Sequence, residues 1–288
     1  MNMSLDCYPC FLRQTLKSVR LAGADEKTQS QILHQVLDRL QDFDSTKCPP
    51  EMSCQVHAII REQTGVDPYS QGKKASTQQA LALYPKLKAL ITAADEPLET
   101  AVRLSIAGNI IDLGIYHEYD LEGTIERVLA QPFAIDDFAA FREALEKTER
   151  ILYLADNAGE TVFDRLLIET INQSVIYAVR GGPVLNDATR EDALEAGLGE
   201  ITTIIDNGAT APGTVLDLCS GEFRDFFANA ELIISKGQGN YESLSDTTAP
   251  VFFLLQAKCQ VVAKDLGVPM TSIVLKQGKG TGVQTLVW

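Results

Sequence analysis

The sequence is short of positive charge. Its 288 residues contain 25 Lys and Arg against 39 Asp and Glu, which gives a formal net charge of -14 and a pI of about 4.7. Proteins bind nucleic acids by neutralising phosphates with basic residues, and anionic membranes attract basic segments in the same way. We therefore expect neither a nucleic acid nor a membrane among the binding partners.

Long apolar runs and cysteines are also scarce. No stretch approaches the ~18 consecutive apolar residues of a membrane-spanning helix. The first six residues lack the basic and apolar regions of a signal peptide. Six cysteines are too few for a disulfide scaffold in a chain of this length. These features predict a cytoplasmic protein whose cysteines are reduced.

The first half of the sequence has the apolar spacing of helices. Between residues 10 and 130, apolar side chains recur three or four positions apart, as at Ile32 and Val36, and Gly and Pro separate the segments. This pattern predicts about five to seven helices and no strand. A further helix is predicted over residues 135–148, so we expect residues 1–148 to form an all-helical N-terminal region.

After Arg150 the pattern changes to short apolar runs that alternate with helical segments. The runs are Ile151–Ala155, Ser174–Val179, Ile201–Ile205, Leu232–Ser235, Val251–Gln256 and Ser272–Leu275. Such runs are typical of strands that are buried on both faces of a parallel sheet. Crossover helices are predicted over Thr161–Thr170 and Ala188–Ala196. Residues 149–288 are therefore predicted to form a doubly wound α/β domain with a mostly parallel sheet.

Polar residues follow five successive predicted strands, at the edge where parallel sheets bind their ligands. The segments are Asp156–Glu160, Arg180–Asp187, Asp206–Gly208, Lys236–Glu242 and Gln256–Cys259. Two carboxylates, of Asp156 and Asp187, and two amides, of Asn157 and Asn186, offer oxygen ligands. Mg²⁺ and Mn²⁺ prefer such ligands, and borderline metals also accept them. Alternatively, the two aspartates cap the helices that follow them.

A glycine-containing segment after the fourth predicted strand resembles an anion-binding loop. Gly237 and Gly239 would let backbone amides approach a phosphate, and a helix N-terminus follows. Lys236 and Lys258 would add positive charge, and Arg180 is a third cation at the same edge. The alternative is a flexible loop, because neither a Walker pattern nor a complete dinucleotide-binding pattern is present.

The functional interpretation of three further groups of residues is less specific. Asn109 and Asp112 share one helix face, where they form either a kink with a buried polar pair or a substrate contact. Cys7, Cys10, Cys48 and Cys54 are either small buried side chains or a zinc site of irregular spacing. The histidines lie away from every predicted strand end, and this position disfavours a Ser-His-Asp mechanism.

Three motifs together resemble the damage-control phosphatases, a family first described as a domain of unknown function, DUF89, and also called ARMT-like. They are Asp156-Asn157-Ala158-Gly159-Glu160, Gly108-Asn109-x-x-Asp112 and Ser235-Lys236-Gly237-x-Gly239-Asn240-Tyr241-Glu242. The compact length and the Cys7-x-x-Cys10 motif resemble the archaeal and bacterial branch.

The resemblance implies a helical N-terminal region on a three-layer, Rossmann-like α/β domain with a divalent metal at the strand ends. The metal would be Mg²⁺, Mn²⁺, Co²⁺ or Ni²⁺, and the implied ligands are Asp156, Asn157 and Asp187. Lys258 would bind the phosphate, together with the cradle over Gly237–Asn240. Asn109 and Asp112 would reach the substrate from the helical region. Lys236, Gly239 and Asn240, at the end of the fourth predicted strand, are the remaining predicted phosphate contacts.

The resulting hypothesis is hydrolysis of phosphate monoesters of a small metabolite. Asp156 and Lys258 are the predicted catalytic residues, with Glu160 or Glu242 as the proton-transfer group. The nucleophile is either water, which we favour, or the Asp156 carboxylate. Two alternatives are a methyltransferase that uses S-adenosylmethionine and a non-catalytic module that binds a metal or nucleotide. The sequence does not indicate the oligomeric state.

Overall fold

The computed structural model describes residues 1–110 and 121–281 of the chain. Within these ranges the helices α1 to α12 are Cys7–Leu21, Glu26–Gln41, Pro49–Thr64, Ser70–Ala93, Pro97–Ile110, Leu121–Ala130, Phe138–Glu146, Thr161–Thr170, Arg190–Glu195, Gly221–Ala228, Gly237–Leu244 and Gln260–Leu266. The strands β1 to β7 are Ile135–Asp136, Arg150–Leu154, Ser174–Val179, Thr203–Asp206, Leu232–Lys236, Val251–Gln256 and Ile273–Gln277. Asp112 lies outside the described residues.

The N-terminal half is helical, as predicted. Its first three helices pack on one another around buried Phe11, Val36 and Met52. Helices α4 to α6 instead share the core of the sheet, to which they contribute Leu87 and Val102 among others. The predicted domain boundary at residue 148 stays a prediction.

The predicted helix over residues 135–148 is wrong at its start. Ile135 and Asp136 form β1, which pairs with Val274 and Leu275 of β7. The Asp136 carboxylate then accepts a hydrogen bond from the backbone of Phe138, where α7 begins. A strand of two residues is too short to show an alternating pattern, so the sequence gives no sign of it.

All six predicted strands are present, each within two residues of the predicted bounds. The sheet order is β1-β7-β6-β5-β2-β3-β4. Strands β2 to β6 are parallel to one another, whereas β7 runs antiparallel to β6 and pairs in parallel with β1 along its far edge. The predicted mostly parallel sheet is therefore confirmed.

The sheet is covered on both faces. In β2, Ile151 and Tyr153 pack against the helices of one face, which include α5 and α8. Leu152 and Leu154 pack in the opposite direction, against a core that contains Phe223 of α10 and residues of α11 and α12. Alternation along one buried strand thus produces the predicted three layers.

The strand order reverses between β2 and β5. From β2 the chain moves outward through β3 to β4, and it then returns to β5 and continues through β6 on the other side. Ligands of open α/β sheets bind beyond the carboxyl ends of the strands at such a reversal. No helix within the described ranges is long and apolar enough to cross a membrane.

Candidate active site

A cavity of about 560 Å³ opens at the carboxyl ends of β2 and β5. Its floor contains Asp156, Asn157 and Asp187 from the strand ends, with Lys258 at the side. The opposite wall is formed by the N-terminal helices α1 and α3, and it includes Cys7, Cys10, Arg13, Pro49 and Ser53. The sequence predicted the floor and Lys258, but no pattern in it indicated that α1 and α3 close the cavity.

Backbone pairing brings the loops after β2 and β3 together. Asn157 and Asp187 form an isolated antiparallel bridge. The amide of Ala188 donates to the carbonyl of Asp156 at 2.7 Å, and the amide of Ala158 donates to that of Asn186 at 2.9 Å. The two loops therefore hold the three predicted metal ligands side by side.

The predicted alternative role of Asp156 and Asp187 as helix caps is wrong. The residue that precedes α8 is Glu160, and the N-cap of α9 is Thr189, whose hydroxyl bonds with Asp192. Both aspartates lie in the loops before these caps, with 7% and 3% of their surface exposed. Both residues thus line the cavity, and neither is the N-cap of a helix.

An arginine lies between the two aspartates. The Arg180 guanidinium donates from Nε to Asp187 Oδ2 at 2.6 Å, and its Nη2 is 3.9 Å from Asp156 Oδ1. Only 2% of the arginine is exposed, and its Nη2 has no hydrogen-bond partner among the described residues. The predicted cation at this edge therefore offsets one of two buried negative charges.

The other oxygen of Asp156 faces two amides. Asn109 Nδ2 donates to Asp156 Oδ2 at 2.7 Å, and Asn157 Nδ2 donates to the same oxygen at 2.8 Å. Asn109 comes from the last turn of α5, so the helical region does reach the strand ends. Its own Oδ1 is buried and has no partner within the described part of the chain.

Lys236 is not in the position predicted for a phosphate-binding lysine. It is the last residue of β5 and is completely buried, with Nζ 2.6 Å from Glu160 Oε1 and 2.6 Å from Asp164 Oδ1. Burial lowers the pKa of Lys236, but the carboxylates of Asp164 and Glu160 outweigh burial and raise it. A phosphate could reach this ammonium only if both ion pairs were broken.

Glu160 is equally buried. One per cent of it is exposed, and it does not line the cavity. Asp164, which follows one turn later on α8, accepts hydrogen bonds from the hydroxyls of Tyr153 and Tyr177 at 2.7 Å each. Sequence reasoning missed Asp164, Tyr153 and Tyr177, although the four-residue spacing of Glu160 and Asp164 indicated that the two carboxylates lie close together.

The predicted glycine cradle divides into two layers. Gln238, Gly239 and Glu242 line the cavity. Asn240 lies beneath them, where its amide donates to the carbonyls of Ala155 and Lys236 at 2.9 and 2.7 Å. Asn240 therefore ties the ends of β2 and β5 together, and Gly237 packs directly against the Asp156 carboxylate.

The carboxyl group of Glu242, at the cavity, has a shifted pKa. Burial raises its pKa to about 7, although a hydrogen bond from Gln238 acts in the opposite direction. That bond, from Gln238 Nε2 to Glu242 Oε1, is 2.9 Å long. Gln238 also accepts from the backbone amide of Lys258 at 3.2 Å, so one glutamine contacts the Glu242 side chain and the Lys258 backbone.

All six cysteines are free thiols. Cys7 and Cys10 line the cavity together with Cys259, whereas Cys48 caps α3 and Cys54 lies within it. Burial raises the pKa of Cys7, Cys48, Cys54 and Cys259. Across residues 1–110 and 121–281, no group of three or more His, Cys, Asp or Glu side chains is arranged to hold a metal ion. The predicted ligand set contains only two side chains of these types, together with the amide of one asparagine. It therefore stays a prediction.

Comparison with known proteins gives a consistent result. The model of the damage-control phosphatase ARMT1-like domain matches residues 3–274. The chain is 33% identical to damage-control phosphatase PH1575 from Pyrococcus horikoshii, over 97% of the chain and 99% of that protein. It is also 33% identical to a damage-control phosphatase from Archaeoglobus fulgidus, over 96% and 99%. A crystal structure of the DUF89 family protein from P. horikoshii superposes with a TM-score of 0.88 and covers 97% of this chain and 100% of that one.

Proposed function

Because the chain belongs to the ARMT1-like damage-control phosphatases and is a house-cleaning phosphatase, we propose that it hydrolyses phosphate monoesters of small metabolites with the help of a divalent cation. One observation carries this proposal. Asp156, Asn157, Asp187 and Lys258 lie in a single cavity at the point where the strand order reverses. Oxygen ligands for a cation and a lysine for a phosphate thus occupy one site.

The residues present fit a divalent cation. Two buried carboxylates, of Asp156 and Asp187, lie beside one guanidinium, and buried carboxylates are commonly paired with cations or coordinate metals. In addition, Asn109 Oδ1 and Arg180 Nη2 are buried near Asp156 without partners among the described residues. The first is an acceptor, whereas the second is a charged donor that suits a phosphate oxygen and not a cation. Unsatisfied polar atoms of this kind point to a group that binds there. Asp156, Asn157 and Asp187 would hold Mg²⁺, Mn²⁺, Co²⁺ or Ni²⁺, which would polarise a phosphoryl oxygen.

The side chains around the cavity suit the remaining steps. Lys258 binds the equatorial oxygens of the phosphoryl group and stabilises the charge that develops on them. Gly239 allows the ester to approach the backbone of the loop after β5. Glu242, with its pKa near neutrality, holds a proton that the leaving oxygen needs. Water is the attacking group in this proposal, because the Asp156 carboxylate is assigned to the cation and its Oδ2 also accepts from two amides.

The size of the cavity supports a small substrate. A volume of about 560 Å³ lies within the range of small-molecule sites. The six free thiols agree with the reducing cytoplasm, which we propose as the compartment. No observation favours the methyltransferase alternative, since Gly159 packs closely on Ser76 of α4 and leaves no room there for a cofactor.

The proposal is tested by phosphate release from purified protein across a panel of phosphorylated sugars and cofactors. Each substrate is assayed after chelation and again after addition of Mg²⁺, Mn²⁺, Co²⁺ or Ni²⁺. We expect turnover of one or more monoesters that chelation abolishes and a cation restores. Turnover that survives chelation would contradict the cation, and absence of turnover across the panel would favour a binding module.

A further inference from the structure

Two buried carboxylates share one lysine beneath the cavity floor. Lys236 Nζ bonds with Glu160 Oε1, Asp164 Oδ1 and the carbonyl oxygen of Ser105, at 2.6, 2.6 and 3.0 Å. An ammonium group has three hydrogens, and these three acceptors use all of them. Asp164 is held in turn by Tyr153 and Tyr177. The Lys236 ammonium, held by three acceptors, therefore fixes the position of Glu160 Oε1.

The second oxygen of Glu160 faces two asparagines. Glu160 Oε2 accepts from Asn109 Nδ2 at 2.9 Å and from Asn157 Nδ2 at 3.1 Å. The same two nitrogens donate to Asp156 Oδ2 at 2.7 and 2.8 Å. Two amide nitrogens and two carboxylate oxygens thus form a closed square, in which each amide uses both of its hydrogens.

The chemistry of the square determines which way the amides point. An ionised carboxylate only accepts hydrogen bonds, so the NH₂ group of each asparagine must face Glu160 and Asp156. The amide oxygens therefore point away from both carboxylates. Of the two asparagines, Asn157 lines the cavity.

We propose that Glu160 is a positioning residue that turns the Asn157 amide so that its oxygen, and not its NH₂ group, is available to the cation. This inference rests on the proposed function, since it requires a cation at Asp156, Asn157 and Asp187. Glu160 acts through Asn157 and needs no contact with the substrate. Glu160 is buried against Lys236, a location that does not suit a proton-transfer group. The same location suits a residue that orients Asn157.

The substitution Glu160→Gln reverses the pattern with little change of shape. Lys236 only donates, so the oxygen of the new amide must face the lysine. Its NH₂ group then faces Asn109 and Asn157, which also present NH₂ groups. Two donors cannot bond with each other, and the Asn157 amide must turn over or move. Either change removes the amide oxygen from the cation.

Asp164→Asn is the matched control, because it also removes one carboxylate charge from Lys236. The oxygen of the amide introduced at this position can face Lys236 and Tyr153, while its NH₂ group faces the Tyr177 hydroxyl, which is able to accept. The Glu160 square is then unchanged. The pair of variants separates the orientation of Asn157 from the loss of buried charge.

The experiment is calorimetric titration of Mn²⁺ into the chelator-treated full-length protein and both variants, with thermal melting to show that each is folded. We expect Glu160→Gln to raise the Kd for Mn²⁺ about 10- to 100-fold, the usual range for residues that orient metal ligands. Asp164→Asn should stay within about threefold of the parent. Equal Kd values for the parent and Glu160→Gln, or equal losses in both variants, would overturn the inference.

The same titration distinguishes this inference from the proposed function. A parent protein that binds no Mn²⁺ contradicts the cation site itself, whereas a parent that binds and a Glu160→Gln variant that binds equally contradict only the positioning role. Should Glu160→Gln not fold, the double variant Glu160→Gln with Asn157→Asp replaces it, because it keeps the buried charge of the parent and returns an oxygen to position 157. A Kd within tenfold of the parent then supports the role of Glu160, and absence of binding by the folded double variant overturns it.

Discussion

The substitution Gly237→Ala tests how the end of β5 holds Asp156. Gly237 has a φ of 76°, in the left-handed region that favours glycine. A Cβ atom there would overlap Asp156 Oδ2 and lie 2.9 Å from Asn109 Nδ2. The left-handed backbone costs an alanine about 1–2 kcal/mol. The overlap adds about 1–3 kcal/mol, as in other overpacked sites.

Gly267→Ala is the matched control for this prediction. Gly267 has a φ of 70°, and a Cβ atom there meets nothing within 4 Å. Only the backbone cost applies, so the free energy of unfolding of Gly237→Ala should fall about 1–3 kcal/mol further than that of Gly267→Ala. Urea denaturation of both variants measures the difference.

Activity provides the second half of the same prediction. If Asp156 moves to relieve the overlap, phosphate release should drop on the order of 100-fold, as it does when a catalytic group is displaced by about 1 Å. Gly267→Ala should keep the activity of the parent. The reasoning is refuted if Gly237→Ala is no less stable than Gly267→Ala and releases phosphate at the parental rate.

Three further substitutions test separate parts of the account. Lys258→Gln should lower kcat/KM about 100-fold or more through loss of phosphate binding, while Lys264→Gln, on the exposed side of α12, should not. The pKa of Glu242 is about 7, so its protonated form is lost as the pH rises above this value. The kcat/KM of the parent should therefore fall above about pH 7, and Glu242→Gln should lack this fall. Burial lowers the pKa of His57 to about 3, against 6.5 in an exposed residue. The unfolded chain therefore binds more protons between these values, and urea midpoints should fall on acidification in the parent but less in His57→Phe.

The sequence was informative wherever local pattern decides structure. The strands of the parallel sheet are buried on both faces, so Val251–Gln256 reads as an uninterrupted apolar run and its bounds agree with β6. Helix α8 has the predicted bounds, Thr161–Thr170. The short strand β1 was missed because its two residues pair with β7, which is distant in the chain.

The candidate site was predictable to the extent that it lies at strand ends. Asp156 and Asp187 follow β2 and β3, and parallel pairing makes their proximity a consequence of topology. The burial of Lys236 was not predictable, because it depends on Asp164, which is 72 residues away in the chain. The wall formed by α1 was missed for the same reason, since no local pattern shows which helix covers a sheet edge.

The most direct test of the central claim is a titration of activity with Mg²⁺ or Mn²⁺ in the parent and in Asp156→Asn. Asp225→Asn, an exposed position on α10 beside the start of β2, is the matched control. The account predicts that the parent and the control release phosphate in proportion to bound cation, and that Asp156→Asn loses both the stimulation and most of the turnover. Near-parental, cation-stimulated phosphate release by Asp156→Asn would contradict it.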